Sequence, residues 1–289
     1  MSDTELAAEL GFRSEHADVN GTRLHYVTGG AGSPLVLLPG WPMTWWSYHR
    51  VMPKLAEKHQ VIVVELRGQG GSAKPDGGYD KKTMARDVHE LVRHLGHDKV
   101  DVVGHDIGAM VAFSMAANHP DTVGKVTLLD VAHPHEGYYE RPLIPRPGEE
   151  AGFLWWFAFN QVHGLPERLL AGRSRFLVDY FVERSAVRRD AITDRDRAIY
   201  AEAYDAPGAI RAGNGWYQAF GQDIEDQRGY DKVTVPVLGL LSAPVYERTG
   251  AVITAHAADV RLRSIADCGH FLADEQPDVV VAEIEQFLG

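Results

Sequence analysis

The stretch VVGHDIGA, residues 102–109, constrains the fold of this chain more than any other segment. An apolar run enters Gly104-His105-Asp106-Ile107-Gly108, and a run of small and apolar residues, IGAMVAFSMAANHP, leaves it. This is the G-x-S-x-G spacing at which a strand turns abruptly into a helix. The glycines are needed because the turn is strained and neighbouring backbone presses close. The central side chain is lifted to the top of a sheet and is normally a serine. Here it is Asp106, so the turn presents a carboxylate where a hydroxyl is usual.

The rest of the chain agrees with a sheet of that kind. HADVNGTRLHYVTGG reads as a hairpin turning at Asn20-Gly21. SPLVLLPG, QVIVVELRG, KVDVVGHD and VGKVTLLD read as short buried strands, and KKTMARDVHELVRHLG has helical apolar spacing closed by a glycine. From about His133 to Val233 the strand signal stops and the sequence becomes helical and aromatic. VPVLGLL and VRLRSIADCGH then resume the rhythm, and VVVAEIEQFL closes it. The expected class is α/β: a mostly parallel sheet flanked by helices over residues 1–132 and 234–289, interrupted by a helical lid at 133–233.

In such sheets reactive groups collect at the carboxyl ends of the strands. Asp106 ends VVGHD, Asp130 ends VTLLD, His270 follows the last strand, and Trp41 follows LVLLPG. Two acids and a base reached from separate strands are the parts of a nucleophile–base–orienter arrangement. The formal net charge of −11 argues against nucleic acid, and no apolar run approaches the roughly 20 residues of a membrane span. Cys268 is the only cysteine, which excludes an intramolecular disulfide and fits a reducing cytoplasm. The first residues, MSDTELAAEL, lack the pattern of a secretory signal. The expectation is a cytoplasmic protein acting on a small apolar molecule, without nucleic acid or membrane, as a monomer or homodimer.

Taken in order, the GWP turn at 40–42, RGQGGS, GHDIGA, GLPERLLAG, GAIRAGNGWYQAF and DCGHF resemble the α/β-hydrolase superfamily. Within it they are similar to the epoxide hydrolases and dehalogenases that use an aspartate nucleophile. The resemblance runs from TRLHYVTGG to the C-terminal helix. It implies that Asp106 attacks a saturated carbon and forms an ester, which water activated by His270 then hydrolyses. Asp130 would hold the imidazole, with Glu247 as the rival acid. The backbone N–H groups of Trp41 and Ile107 would form the oxyanion hole, and the Trp41–Pro42 bond would be cis. Pro39 stands where the family usually has histidine. A carboxylate suits this chemistry because it is already ionised at neutral pH, with an ordinary pKa of about 3.9.

The leaving group decides the subclass. Haloalkane dehalogenases usually carry Trp directly after the nucleophile, and fluoroacetate dehalogenases read GHDRGAR, with arginines gripping a carboxylate. This chain has Ile107 and Met110 there. An epoxide oxygen needs a proton donor, and Tyr217 in GNGWYQAF occupies the family's lid tyrosine position. The W-H-F-x-F stretch appears as Trp155 to Phe159, so Trp156 replaces the histidine; its indole can donate a hydrogen bond but not its proton. Trp155 is the weaker candidate for that role. Trp155, Phe159 and Trp45 are expected to line the substrate pocket. The aromatic lid suggests a bulky apolar or aromatic epoxide, with no cofactor and no metal. HPHE at 133–136 has no second cluster of ligands, RGQGGS reads as a turn, and Cys268 reads as a small buried residue. The rival functions are a dehalogenase working through the same ester and a non-catalytic lidded receptor.

Overall fold

The apolar runs become the interior of one sheet. The computed structural model describes residues 1–145, 147–148 and 153–289. Its strands are β1 Arg13–Val19, β2 Thr22–Gly29, β3 Ser33–Leu38, β4 His59–Val64, β5 Val100–His105, β6 Val123–Leu129, β7 Val237–Ser242 and β8 Val260–Ile265. They lie in the order β1-β2-β4-β3-β5-β6-β7-β8. β1 and β2 pair antiparallel, as do β2 and β4, and the remaining pairs are parallel. The expected hairpin turns at Asn20 and Gly21, both at positive φ. β3 to β6 each end in four consecutive buried residues, as parallel strands covered on both faces do.

The elbow depends on close packing. The helix Ile107–Asn118 is buried from Ile107 to Ala116 and sits directly behind β5. A Cβ on Gly108 would lie 2.0 Å from the Leu38 carbonyl oxygen, and one on Gly104 would lie 2.3 Å from the Gly108 carbonyl oxygen. Neither position has room for a side chain, so the helix can approach β3 and β5 only with glycine there.

Between β6 and β7 the described residues contain helices and no strand: Trp155–Gln161, Leu165–Leu170, Ser174–Ser185, Asp194–Asp205, Ala209–Gln218 and Phe220–Arg228. This helical insertion is fastened to the core by polar groups that neither half could bury alone. Lys81 and Asp223 are both fully buried and bonded at 2.8 Å, and Lys81 Nζ also donates to the Trp216 carbonyl at 2.7 Å. The Trp216 indole in turn donates to the Arg67 carbonyl at 3.0 Å. Breaking such a pair leaves an uncompensated charge indoors, so these bonds fix the helix that carries Tyr217. A short helix at Asp3–Glu9, not expected from the sequence, is closed by a Ser2–Glu5 capping box and buries Leu6 and Ala7. Among the described residues no helix is long and apolar enough to cross a membrane.

Candidate active site

Asp106 stands between β5 and the following helix with φ 53° and ψ −118°, a conformation that costs energy for any residue with a Cβ. The surrounding packing holds it there. Its Oδ1 accepts the Trp41 backbone N–H at 2.9 Å, and the Ile107 N–H also bonds the carboxylate. Burial raises the Asp106 pKa above its ordinary value; the positive side of His270 and these two N–H groups oppose the rise. The Trp41–Pro42 peptide is cis. The loop bearing Trp41 is braced from below by RGQGGS: Gln69 donates to the Gly40 carbonyl at 2.9 Å and the Met43 carbonyl at 3.0 Å.

His270 lies on the loop after β8. Its Nε2 is 3.7 Å from Asp106 Oδ2, and its Nδ1 is 2.8 Å from Asp130 Oδ2. Asp130 sits at the end of β6 with φ 64°. Its other oxygen accepts the Ser242 N–H at 2.9 Å and the Ser242 hydroxyl at 2.6 Å. Burial alone would lower the His270 pKa, but the bond and charge of Asp130 and the charge of Asp106 outweigh it and raise the value. Of the two rival acids, Asp130 therefore contacts the imidazole, whereas Glu247 is exposed at the start of the helix Tyr246–His256. Glu275, which the sequence reading did not single out, anchors this loop. It accepts the backbone N–H groups of Gly269, Phe271, Val187 and Arg188 at 2.8–3.1 Å, tying the histidine to the helical insertion. His105, fully buried beneath, bonds the His270 carbonyl through Nε2 at 2.8 Å; burial lowers its pKa to about 3, so it stays neutral.

Above the carboxylate is a cavity of about 300 Å³ walled by both halves of the chain. Asp106, Asp130, His270, Trp41, Tyr217 and Trp156 all face it. Tyr217 is 1% exposed, and its ring meets Trp41 at 5.4 Å and Phe157 at 5.6 Å. Burial, then the charge of Asp106, pushes its hydroxyl pKa well up, while a hydrogen bond with Trp156 pulls the other way. Ile107 contributes its backbone N–H and keeps its side chain in the core.

Three expected pocket residues lie outside the cavity wall. Trp45 is fully buried behind it, donating its indole N–H to Asp3 at 2.7 Å, a partner supplied by the unexpected first helix. Trp155 and Phe159 share one helix face, as residues four apart must. They pack on each other at 5.5 Å, and the Trp155 indole bonds the Tyr180 hydroxyl at 2.9 Å. The cavity side of that helix carries Trp156 and Phe157 instead. Phe181, Tyr138, Arg141, Arg184 and Arg248 also line the cavity and were not singled out. Phe181 was within reach of a helical-spacing argument; the arginines carried no motif.

Other candidate chemistry is spoken for. Cys268 is buried, which raises its thiol pKa far above the reactive range. His133 is buried and neutral, its pKa lowered to about 3 by burial, and His135 accepts the Gly137 N–H as a helix cap. Among the described residues Asp3, His25 and Glu65 have ligand atoms close enough to share an ion. Both His25 ring nitrogens are already bonded, to Glu65 at 2.8 Å and Ser14 at 2.9 Å, which leaves no lone pair for a metal.

Comparison with known proteins places this geometry in context. The sequence pattern of the alpha/beta hydrolase fold matches residues 33–183. The chain is 36% identical to a soluble epoxide hydrolase of Corynebacterium sp. (strain C12), over 92% of this chain and 93% of that one. It is also 31% identical to a fluoroacetate dehalogenase of Burkholderia sp, over 96% and 94%. Among solved structures it is similar to the epoxide hydrolase CorEH without ligand, with a TM-score of 0.83 and 34% identity over 96% of this chain and 98% of that one.

Proposed function

This chain belongs to the alpha/beta hydrolase fold family and is a hydrolase, and from that premise we propose that it opens an epoxide to a vicinal diol through an ester on Asp106. The observation that carries this reading is the divided environment of one carboxylate. Asp106 Oδ1 accepts the Trp41 N–H, the carboxylate also receives the Ile107 N–H, and Oδ2 stands 3.7 Å from His270 Nε2. Oδ2 attacks a ring carbon, the carbon–oxygen bond breaks, and the leaving oxygen takes the Tyr217 proton. Trp156 steadies that oxygen or the tyrosine by its N–H. Water then gives a proton to His270 and attacks the Asp106 carbonyl carbon, and the oxyanion forms on Oδ1, where the Trp41 N–H already waits. Collapse releases the second alcohol oxygen, which takes the imidazolium proton, and the proton left on Asp106 returns to Tyr217. Asp130 stabilises the imidazolium between these steps.

The helical insertion acts as the lid, and it supplies Tyr217 and Trp156. The aromatic wall of Trp41, Phe157, Phe181 and Tyr217 suits a bulky apolar body. Similarity to a fluoroacetate dehalogenase favours one second reading, halide release through the same ester. Incubation with aryl and alkyl epoxides, haloalkanes and haloacetates, with diol and halide scored in parallel, separates the two. Diol without halide is expected. Halide without diol would transfer the assignment to the dehalogenase.

A further inference from the structure

The cavity wall carries two cationic side chains without a counter-ion among the described residues. Arg141 follows the 3-10 turn Glu136–Tyr138, and Arg248 lies in the first turn of the helix Tyr246–His256. One comes from the helical insertion and the other from the core, and both line the cavity. Arg141 Nε is buried with no hydrogen-bond partner, and its guanidinium lies over the Tyr138 ring at 5.9 Å. No carboxylate among the described residues pairs with either arginine side chain. Arg184, the third arginine on the wall, is committed elsewhere: it donates to the Phe153 carbonyl at 2.8 Å and covers Trp156.

Arg141 is half-buried and Arg248 exposed, and the charge of Arg248 acts on Arg141. Burial and then the charge of Arg248 destabilise the Arg141 cation, and both arginines help keep the neighbouring His135 neutral. A half-buried guanidinium beside a like charge is costly, and an anion between the two relieves that cost. Asp106 and Asp130 share the cavity wall with the two arginines, and no guanidinium is among the leading influences on Asp106. The cavity wall thus carries both acidic and cationic groups.

We propose that Arg141 and Arg248 bind a carboxylate on the substrate, which is therefore an epoxide with an apolar middle and an anionic tail. This rests on the epoxide reading above. An anionic tail is repelled by Asp106 and accepted by the arginines, so the molecule enters with one orientation and its epoxide reaches Asp106. The apolar wall between the two ends sets the length of the middle segment. The arginines also overcome, locally, the repulsion that a net charge of −11 imposes on any anion. The grip differs from one built on the positions beside the nucleophile, where Ile107 and Met110 stand, and the apolar wall shared with it suits a longer acid than a haloacetate.

The test compares medium-chain ω-epoxyalkanoates with their primary amides, which match them in shape but lack the charge. Wild-type enzyme should favour the acid in kcat/KM by roughly tenfold or more, mainly through KM, as charge-assisted bidentate bonds allow. In Arg141→Gln/Arg248→Gln the acid-to-amide ratio should fall toward one. Equal kcat/KM for acid and amide in the wild type, or an unaltered ratio in the variant, overturns the inference while leaving the epoxide reading intact. Absence of diol from both substrates overturns the epoxide reading instead. The anion site is then judged by calorimetric binding of octanoate. Weaker binding by roughly tenfold in the double variant supports the site, and equal or no binding removes it.

Discussion

Replacing His270 with glutamine should divide the proposed reaction into its two halves. Ring opening uses the ionised Asp106 carboxylate and the Tyr217 proton, and neither requires the imidazole as acceptor. The 3.7 Å between His270 Nε2 and Asp106 Oδ2 is too long for a hydrogen bond, so the attack does not depend on that contact. Ester hydrolysis does need a base. A positioned general base contributes roughly 10²–10⁴-fold, or about 3–5 kcal/mol on that barrier. His270→Gln therefore slows the second step far more than the first, and nearly every molecule should stop as the ester. Asp130 keeps two bonds from Ser242, so its buried carboxylate is not stripped bare and the variant should fold. The assay is intact-mass measurement after an acid quench, followed by peptide mapping. One substrate mass per chain, on Asp106, is expected. Wild-type enzyme after a single turnover in ¹⁸O-water should carry the label in the Asp106 carboxylate. Loss of diol with no adduct, or label in the diol on the first turnover, would refute the ester mechanism.

Tyr217→Phe should slow adduct formation by about a hundredfold in rapid-quench experiments, because it removes the proton source. Trp156→Phe, which removes only a hydrogen-bond donor, should cost about tenfold or less, and a larger loss from Trp156 would reverse the two roles. The acid limb of ester hydrolysis reports neutral His270, so the rate falls as pH drops through its pKa. In the free enzyme that pKa lies above 6.5, because Asp130 and Asp106 together outweigh burial. Alkylation abolishes the Asp106 charge, so the kinetic limb should lie below the His270 pKa read by NMR in the free enzyme; a limb at or above it contradicts the mechanism. Asp274 is 2% exposed, with one oxygen buried and unbonded, and burial followed by the Asp196 charge raises its pKa well above 3.8. The folded state then holds that proton more tightly than the unfolded chain, and stability is lost as pH rises from the unfolded value of 3.8 through the folded one. Asp274→Asn should therefore raise stability at neutral pH by about 1–3 kcal/mol and flatten thermal midpoints across the acid range; an unchanged midpoint would mean that the carboxyl ionises without penalty.

What could be read before the structure follows a physical division. Asp106, Asp130 and His270 sit at strand ends, and a strand end is visible in sequence because an apolar run stops there. Tyr217 and Trp156 were visible only through ordered resemblance, since one helical aromatic looks like another. The errors lie where a side chain's direction depends on a distant partner. Trp45 is turned away by Asp3, in a helix that the sequence reading missed, and Trp155 is turned away by Tyr180. Adjacent helical residues differ by about 100°, so naming the correct turn of Trp155–Gln161 still left Trp156 and Trp155 undecided. Arg141 and Arg248 lie more than a hundred residues apart, and only the closure of the insertion over the sheet brings them to one wall.

The aspartate at the elbow is also consistent with the oxyanion hole beneath it. Where serine occupies such a turn, the donors must receive a carbonyl oxygen that arrives with the substrate. In the proposed ester the carbonyl would belong to the protein, so a donor can be satisfied beforehand: Trp41 N–H already bonds Asp106 Oδ1 at 2.9 Å. In the proposed mechanism, alkylation of Oδ2 would leave Oδ1 in place as the ester carbonyl, and attack by water would place the negative charge on that same atom. The Trp41 N–H would then meet three successive species without moving. The strained φ of 53° fits that proposal: relaxing it would move Oδ1 from the Trp41 N–H and Oδ2 from His270. Asp106→Ser would keep the turn but replace the oxygen fixed in the hole with a shorter side chain, so it should yield neither the alkyl adduct nor an esterase. Formation of an acyl-serine from an activated ester in that variant would show that the hole can accept a substrate carbonyl after all.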